Sequence, residues 1–283
     1  MRIKFFGNRR FVLEEILLRT SDVEINVIAN THLERDSFLK GKKYKLIGNK
    51  NEAIESICRG DFDLLISNGL PYILKLSELP VRKYVNIHPS FLPDLRGVDP
   101  VLGSILYRRD SGATCHLMDD GIDTGPIISR VKIPYTDDLT ATLLYQLSFV
   151  AEKNSFVDAW NRDFLPLEIS QDRSNTIYFT RKPDTSVIPL MQDDLHIAQT
   201  VKAFSNKNQG ARFYIDDCEF RCFSCWFSSN KFLFEIFPDA RSNEIVLVYE
   251  DVVAVKRPNN FLFLAQIAGT SQGWIGKTIV GRS

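Results

Sequence analysis

Residues 62–67 form an almost wholly apolar run, and similar short runs recur between stretches of helical periodicity through the first half of the chain. A strand that is apolar on both faces needs cover on both sides, which points to a parallel sheet between layers of helices. The order of elements agrees. Positions 2–6 read as a first strand meeting Gly7, 11–18 carry apolar residues at helical spacing, and 23–29 and 44–47 are β-rich. Positions 52–59 read as helix and 84–87 as the next strand. This alternation predicts an α/β, Rossmann-like, doubly wound and mostly parallel sheet, in which ligands bind beyond the carboxyl ends of the strands.

Further on, 100–108 read as helix, 113–118 and 127–133 as strands, and 139–160 as a long amphipathic helix. Periodicity is lost over 166–189, which reads as a linker, and 195–204 read as a short helix. From Ala211 onward short β-rich runs dominate, at 212–215, 220–227, 232–237, 244–249, 252–255 and 261–267. Such runs, separated by turn signals, predict a small OB-like barrel. The expected division is a catalytic domain over 1–165, a connection over 166–205 and a small β-rich domain over 206–283.

Charge narrows the function. Lys plus Arg and Asp plus Glu both number 35 in 283 residues, so no bulk basic excess exists to hold a polyanion, and a nucleic-acid partner is disfavoured. No apolar stretch approaches the ~20 residues of a membrane span, and the first residues lack the pattern of a signal peptide. Together with five dispersed cysteines, an odd number, these features lead us to expect a cytoplasmic protein without a membrane partner. Cys222 and Cys225 form a C-x-x-C without a nearby histidine, and with Cys218 they are expected to pack as small hydrophobes and to bind no metal. Gly7 is followed by Asn-Arg-Arg, and the chain contains neither G-x-G-x-x-G nor a P-loop, which excludes the usual phosphate cradles.

The chemistry concentrates between Asn86 and Pro126. Asn86 and His88 stand two positions apart at a strand end, where an amide and an imidazole can both reach a carbonyl oxygen that becomes anionic under attack. Asp123 is the carboxylate expected to raise the His88 pKa and orient its ring. No activated nucleophile is evident, since Ser90 lacks a G-x-S-x-G elbow and Cys115 sits within an apolar strand. The set suits direct acyl transfer to an amine. Asp119 and Asp120 read as solvated loop residues, and His32 and His196 as structural groups.

The stretch Asn86-Ile87-His88-Pro89-Ser90-Phe91-Leu92-Pro93, followed by Arg96-Gly97, by Gly112 to His116 and by Asp119 to Pro126, resembles the 10-formyltetrahydrofolate-dependent formyltransferases. That family includes methionyl-tRNA formyltransferase, glycinamide ribonucleotide formyltransferase and the nucleotide-sugar N-formyltransferases. The resemblance implies a catalytic triad of Asn86, His88 and Asp123, with His116, Ser90, Arg96 and Gly97 in support. It implies folate contacts from Gly69, Leu70, Tyr72, Leu74, Met118, Asp119, Gly121 and Ile122, with 10-formyltetrahydrofolate as co-substrate and no metal.

For the acceptor, positions 29–47 carry only Gly41-Lys42-Lys43 and Lys45 where a tRNA enzyme of this kind has a basic, Pro- and Gly-rich insertion. A region after the long helix disfavours a glycinamide ribonucleotide acceptor, and a catalytic domain at the start disfavours hydrolysis. The expected acceptor is a nucleotide-linked amino deoxysugar destined for surface polysaccharide such as a lipopolysaccharide O-antigen. Charged methionyl-tRNA and hydroxyornithine are the alternatives, a catalytically inactive scaffold is a different class, and a homodimer is compatible with the chain.

Overall fold

The computed structural model describes residues 1–172, 174, 176–206 and 208–281. They fall into two compact units. One comprises Met1–Val101, Arg109–Tyr135 and Tyr145–Thr180; the other comprises Leu102–Arg108, Thr136–Leu144 and the chain from Arg181 onward.

The first unit begins with β1 (Ile3–Gly7), α1 (Arg10–Arg19), β2 (Val23–Ile28), β3 (Lys45–Ile47), α2 (Lys50–Arg59), β4 (Leu64–Asn68) and β5 (Lys83–His88). After β6 (Arg96–Val98) and α3 (Pro100–Tyr107), most of which is counted with the second unit, come β7 (Ser111–Leu117), β8 (Ile127–Ile133), α4 (Ala141–Trp160), whose first turn is likewise counted there, and β9 (Tyr178–Thr180). Seven strands form one sheet in the order β3-β2-β1-β4-β5-β7-β8. The pairs from β3 to β5 are parallel, whereas β5 with β7 and β7 with β8 run antiparallel.

Both faces of this sheet are covered, as its apolar strands require. Phe5, Val27, Ile66 and Val85 pack with Val12, Leu13 and Ile16 of α1 and with Phe156 and Ala159 of α4. On the opposite face Phe6, Ile28 and Leu65 pack with Ala53 and Ile57 of α2. The start of α2 is written locally: Asn49 Oδ1 accepts from Glu52 N at 3.0 Å, and Glu52 Oε2 accepts from Gly48 N at 2.7 Å. That reciprocal cap satisfies donors that the helix itself leaves free. Gly7 serves packing, since a β-carbon there would lie 2.1 Å from Asn68 O on the neighbouring strand.

Within the expected linker, β9 pairs in parallel with β6, Gly97 opposite Phe179. A three-residue strand has too short a period to register in the sequence.

The second unit carries α5 (Asp194–Ala203), β10 (Ala211–Ile215), β11 (Cys218–Cys222), β12 (Ser224–Ser228), α6 (Lys231–Ile236), β13 (Ile245–Tyr249), β14 (Val252–Lys256) and β15 (Phe261–Ala265). It is β-rich, as expected, and its paired strands run antiparallel. Its strands form a β10-β11 hairpin and an open β12-β15-β14-β13 sheet, linked by the Tyr214–Val280 and Glu244–Thr278 bridges. Two local readings are corrected. The run 220–227 is divided at Phe223 between two sheets, which a sequence strand-like throughout does not reveal. Positions 232–237, read as strand, are mostly the helix α6, whose first turn is capped by Asn230 Oδ1 accepting from Phe232 N at 3.0 Å. Phe234 and Phe237 then pack edge-on or tilted against Phe261. A short apolar run fits either period, and the cap decides.

Among the cysteines, Cys222 is buried, Cys225 is half-buried and Cys218 is exposed. Burial pushes the Cys225 thiol up to about 11. Among the described residues no helix is long and apolar enough to cross a membrane.

Candidate active site

Asn86 and His88 lie at the carboxyl end of β5, His116 sits opposite Asn86 on β7, and Asp123 comes from the loop between β7 and β8. Three side chains converge on the Asp123 carboxylate. Asn86 Nδ2 donates to Asp123 Oδ1 at 3.3 Å. His116 Nε2 lies 3.6 Å from the same oxygen, and His88 Nδ1 lies 3.5 Å from Oδ2. The backbone N–H of Gly97 donates to Oδ2 at 3.0 Å.

Carbonyl partners fix the ring tautomers, because a carbonyl oxygen can only accept. His88 donates its Nε2–H to Leu95 O at 3.0 Å, so Nδ1 is the nitrogen that titrates. His116 donates its Nδ1–H to Leu117 O at 2.7 Å, and in the neutral ring Nε2 accepts from Asn86 Nδ2 at 3.3 Å. Asn86 is thereby oriented from two sides.

The electrostatics differ from the sequence expectation at His88. The ring is almost completely buried, and burial lowers its pKa more than Asp123 raises it, so the net direction is downward. Burial opposes ionisation of Asp123 as well, but there the pull of His88 and the Gly97 N–H prevail and hold the carboxyl well below its ordinary range. The two shifts compete across one contact, since Asp123 is stabilised most by a charged His88 while burial favours the neutral ring. With the imidazole shut away from water, the resting pair is an ionised Asp123 beside a neutral His88.

These groups open on a cleft of about 330 Å³. Gly69, Leu70, Tyr72, Leu74, Met118, Asp119, Gly121 and Ile122 all line it, together with Asn86, His88, His116, Asp123 and Gly97. Leu70, Leu74, Met118 and Ile122 supply apolar wall, suited to a flat heteroaromatic group. Asp119 ties its own loop, Oδ1 accepting from Gly121 N at 3.1 Å and from Thr124 Oγ1 at 2.7 Å. Asp120 Oδ1 accepts from Ser77 N at 3.2 Å, so this residue anchors the loop as well.

Ser90 and Arg96 stand outside the cleft lining. Ser90 donates its hydroxyl to Asp94 O at 2.8 Å and shapes the turn after β5. Arg96 Nη2 donates to Gln171 Oε1 at 2.6 Å, and Gln171 Nε2 donates to Gly125 O at 2.6 Å. Arg96 thus braces the Asp123 loop through Gln171, a residue that the sequence reading left inside the linker. The reading also missed Asn8, Arg9, Tyr145 and Tyr178, which line the cleft. Asn8 and Arg9 follow the first strand of a doubly wound sheet, and that position was the available signal. Burial pushes the Cys115 thiol far up, which agrees with the absence of an activated nucleophile.

Residues 50–160 match the formyl transferase family. The chain is 31% identical over 123 residues to methionyl-tRNA formyltransferase of Clostridium novyi (strain NT), covering 42% of this chain and 39% of that protein. It is 27% identical over 210 residues to that of Orientia tsutsugamushi (strain Boryong), covering 66% and 68%. The chain thus spans about two fifths of the first of these relatives. Among solved structures it is similar to WlaRD, a sugar 3N-formyl transferase in the presence of dTDP and 5-N-formyl-THF, with a TM-score of 0.70 and 19% identity over 96% of this chain and 99% of that one. It is also similar to the N-formyltransferase of Helicobacter canadensis in complex with folinic acid and dTDP-3-aminofucose, with a TM-score of 0.69 and 19% identity over 94% and 99%. At that identity the likeness shows the fold. The match over 50–160 and the relatives that share it identify a formyl transferase domain in this part of the chain.

Proposed function

We propose that this protein transfers the formyl group of 10-formyltetrahydrofolate to the amine of a nucleotide-linked amino deoxysugar. The observation that carries the reading is the convergence of Asn86, His88 and His116 on Asp123 in one cleft. When bound, the folate supplies the formyl group, and the apolar wall of Leu70, Leu74, Met118 and Ile122 holds its ring. Asn86 Nδ2, braced by His116, donates to the formyl oxygen as negative charge develops there. Its 3.3 Å bond to Asp123 is long enough to yield to that stronger acceptor. Neutral His88 accepts the proton of the attacking amine at Nδ1, and Asp123 stabilises the imidazolium that results. His88 then returns the proton to the leaving nitrogen. In this role His88 is a base at rest, with its charge arising during the reaction.

The sugar acceptor is supported by the near full-length fold likeness to two sugar N-formyltransferases, which extends over the β-rich second unit. The methionyl-tRNA formyltransferase relatives favour a charged tRNA as the second reading. The test is to follow tetrahydrofolate release with 10-formyltetrahydrofolate and a panel of nucleotide-linked amino sugars, hydroxyornithine and methionyl-tRNA. Turnover with an amino sugar supports the proposal; turnover with methionyl-tRNA alone overturns the acceptor while leaving the chemistry standing.

A further inference from the structure

The chain leaves β1 toward β2 and returns to β4 on the other side of β1. The carboxyl ends of β1 and β4 therefore flank a switch point, where open α/β sheets present a crevice for ligands. Asn8 and Arg9 follow β1 there and line the cleft, and the chemistry described above uses neither.

Arg9 is the N-cap of α1, makes no side-chain cap, and is followed by no acidic residue in the first turn. The free N–H groups and positive end of that helix are thus uncompensated locally. Arg9 is partly open to the cleft, and its guanidinium carbon stands 4.8 Å from the centre of the Phe149 ring. Its Nε is buried without a hydrogen-bond partner and lies 3.7 Å from Glu152 Oε2. Glu152, on α4, is 1% exposed, and neither carboxylate oxygen makes a well-formed hydrogen bond among the described residues. Asn8 Oδ1 and Asn68 Oδ1 are also buried without partners. A buried carboxylate and an arginine held this loosely forgo most of the stabilisation a closed pair would give.

We propose that Arg9 receives an anionic group of the acceptor substrate, and that Glu152 is a positioning residue that takes up a proton when this anion binds. Identifying the anion with the acceptor rests on the formyl-transfer reading. Two anions would compete for one guanidinium, and the buried one is the cheaper to neutralise. The proton comes from solvent and adds to a Glu152 carboxylate oxygen, with no other bond made or broken. Burial has already pushed Glu152 up to about 7 against the pull of Arg9 and Asn68, which places the uptake at neutral pH. Arg9, at the head of α1, is the charged group acting on it; Asn68 at the end of β4 and Ser148 one turn earlier on α4 are neutral. Anion affinity should therefore strengthen as pH falls through about 7, by up to tenfold per pH unit above that point.

The test is calorimetric titration of the full chain with thymidine diphosphate, inorganic pyrophosphate and ornithine, at about pH 6 and about pH 8, in two buffers of different ionisation heat. We expect at least one probe to bind about tenfold more weakly at the higher pH and with proton uptake. Binding of the phosphates identifies a nucleotide as the source of the anion, and binding of ornithine alone identifies a carboxylate. Glu152→Gln should bind equally at both pH values without uptake. Arg9→Gln should lose at least tenfold in affinity while folate binding stays unchanged, and it preserves a readout if Glu152→Gln does not fold. Failure of every probe to bind, uptake that persists in Glu152→Gln, or unchanged affinity in Arg9→Gln overturns the proposal. Because the readouts are binding, a protein that binds but does not formylate refutes only the activity, and one that formylates without this linkage refutes only the inference.

Discussion

The backbone N–H of Gly97 donates to Asp123 Oδ2 at 3.0 Å, and the Gly97 α-carbon can carry nothing larger than hydrogen. A β-carbon there would lie 2.4 Å from Phe179 O, and the residue's φ of +101° lies where side chains are strained. Gly97→Ala should therefore push β6 from β9 and lengthen the contact that fixes the carboxylate. We expect stability to fall by about 1–3 kcal/mol and kcat to fall by about tenfold or more. Thermal unfolding alongside steady-state kinetics checks both.

Replacing the groups around Asp123 should separate chemistry from folding. Asn86→Ala, His88→Ala and Asp123→Ala are each expected to lower kcat by a factor of about 100–1000 with folate affinity retained. Equilibrium binding of a folate and circular dichroism supply the control. A loss of only two- or threefold in kcat would remove that residue from the mechanism.

Acid should abolish the proposed activity through His88. Its pKa lies below the ordinary imidazole value, so the resting neutral base persists to lower pH than a solvent-exposed histidine would allow. The acidic limb of kcat/KM should accordingly fall below about pH 6.5, the unperturbed imidazole value. Because the folded value is the lower one, the associated stability is present above the unfolded pKa and is lost as pH falls through the folded one. Asp123 stays ionised throughout this range. An acidic limb centred above that point would contradict the direction set by burial.

Glu152 should carry a stability signature of opposite sign. Its folded pKa of about 7 exceeds the ordinary carboxyl value of 4.5. The stabilisation is thus full below the unfolded pKa and is lost as pH rises toward and through about 7. Glu152→Gln, which cannot ionise, should gain stability on the wild type across that window, by up to about 3 kcal/mol at pH 8. Urea unfolding at several pH values measures it.

Gln171 offers a test of the brace behind the loop. It accepts from Arg96 and donates to Gly125, each at 2.6 Å. Gln171→Ala should raise the folate KM by about three- to tenfold with a smaller change in kcat, since the loop bearing Gly121 and Ile122 lines the cleft. Equal losses in kcat and kcat/KM would assign Gln171 to the chemistry instead.

Much of the site was legible because its residues lie at strand ends and in one glycine-bearing loop. The order of β4 and β5 placed Asn86 and His88, and the motif through Asp123 supplied their partner. The sign of the His88 shift was not legible, because it depends on how deeply the ring is covered, and covering is set by distant segments. Tyr178 was hidden for a related reason: it reaches the site through a three-residue pairing of β9 with β6 that has no period of its own, and Gln171 lies in the aperiodic stretch before it. Glu152 reads in sequence as one charge on an amphipathic helix, and only the packing of α4 against the sheet shows it to be buried. The helix α6 was misread because its apolar residues fit both periods until Asn230 caps the first turn.

The most direct test of the central claim, that Asp123 organises a formyl-transfer site, is single-turnover transfer from labelled 10-formyltetrahydrofolate to an accepted amino sugar, comparing wild type with Asp123→Asn. The account predicts label on the sugar nitrogen for the wild type and a rate about 100-fold or more slower for the variant, with folate still bound. Transfer at the wild-type rate by Asp123→Asn would contradict it.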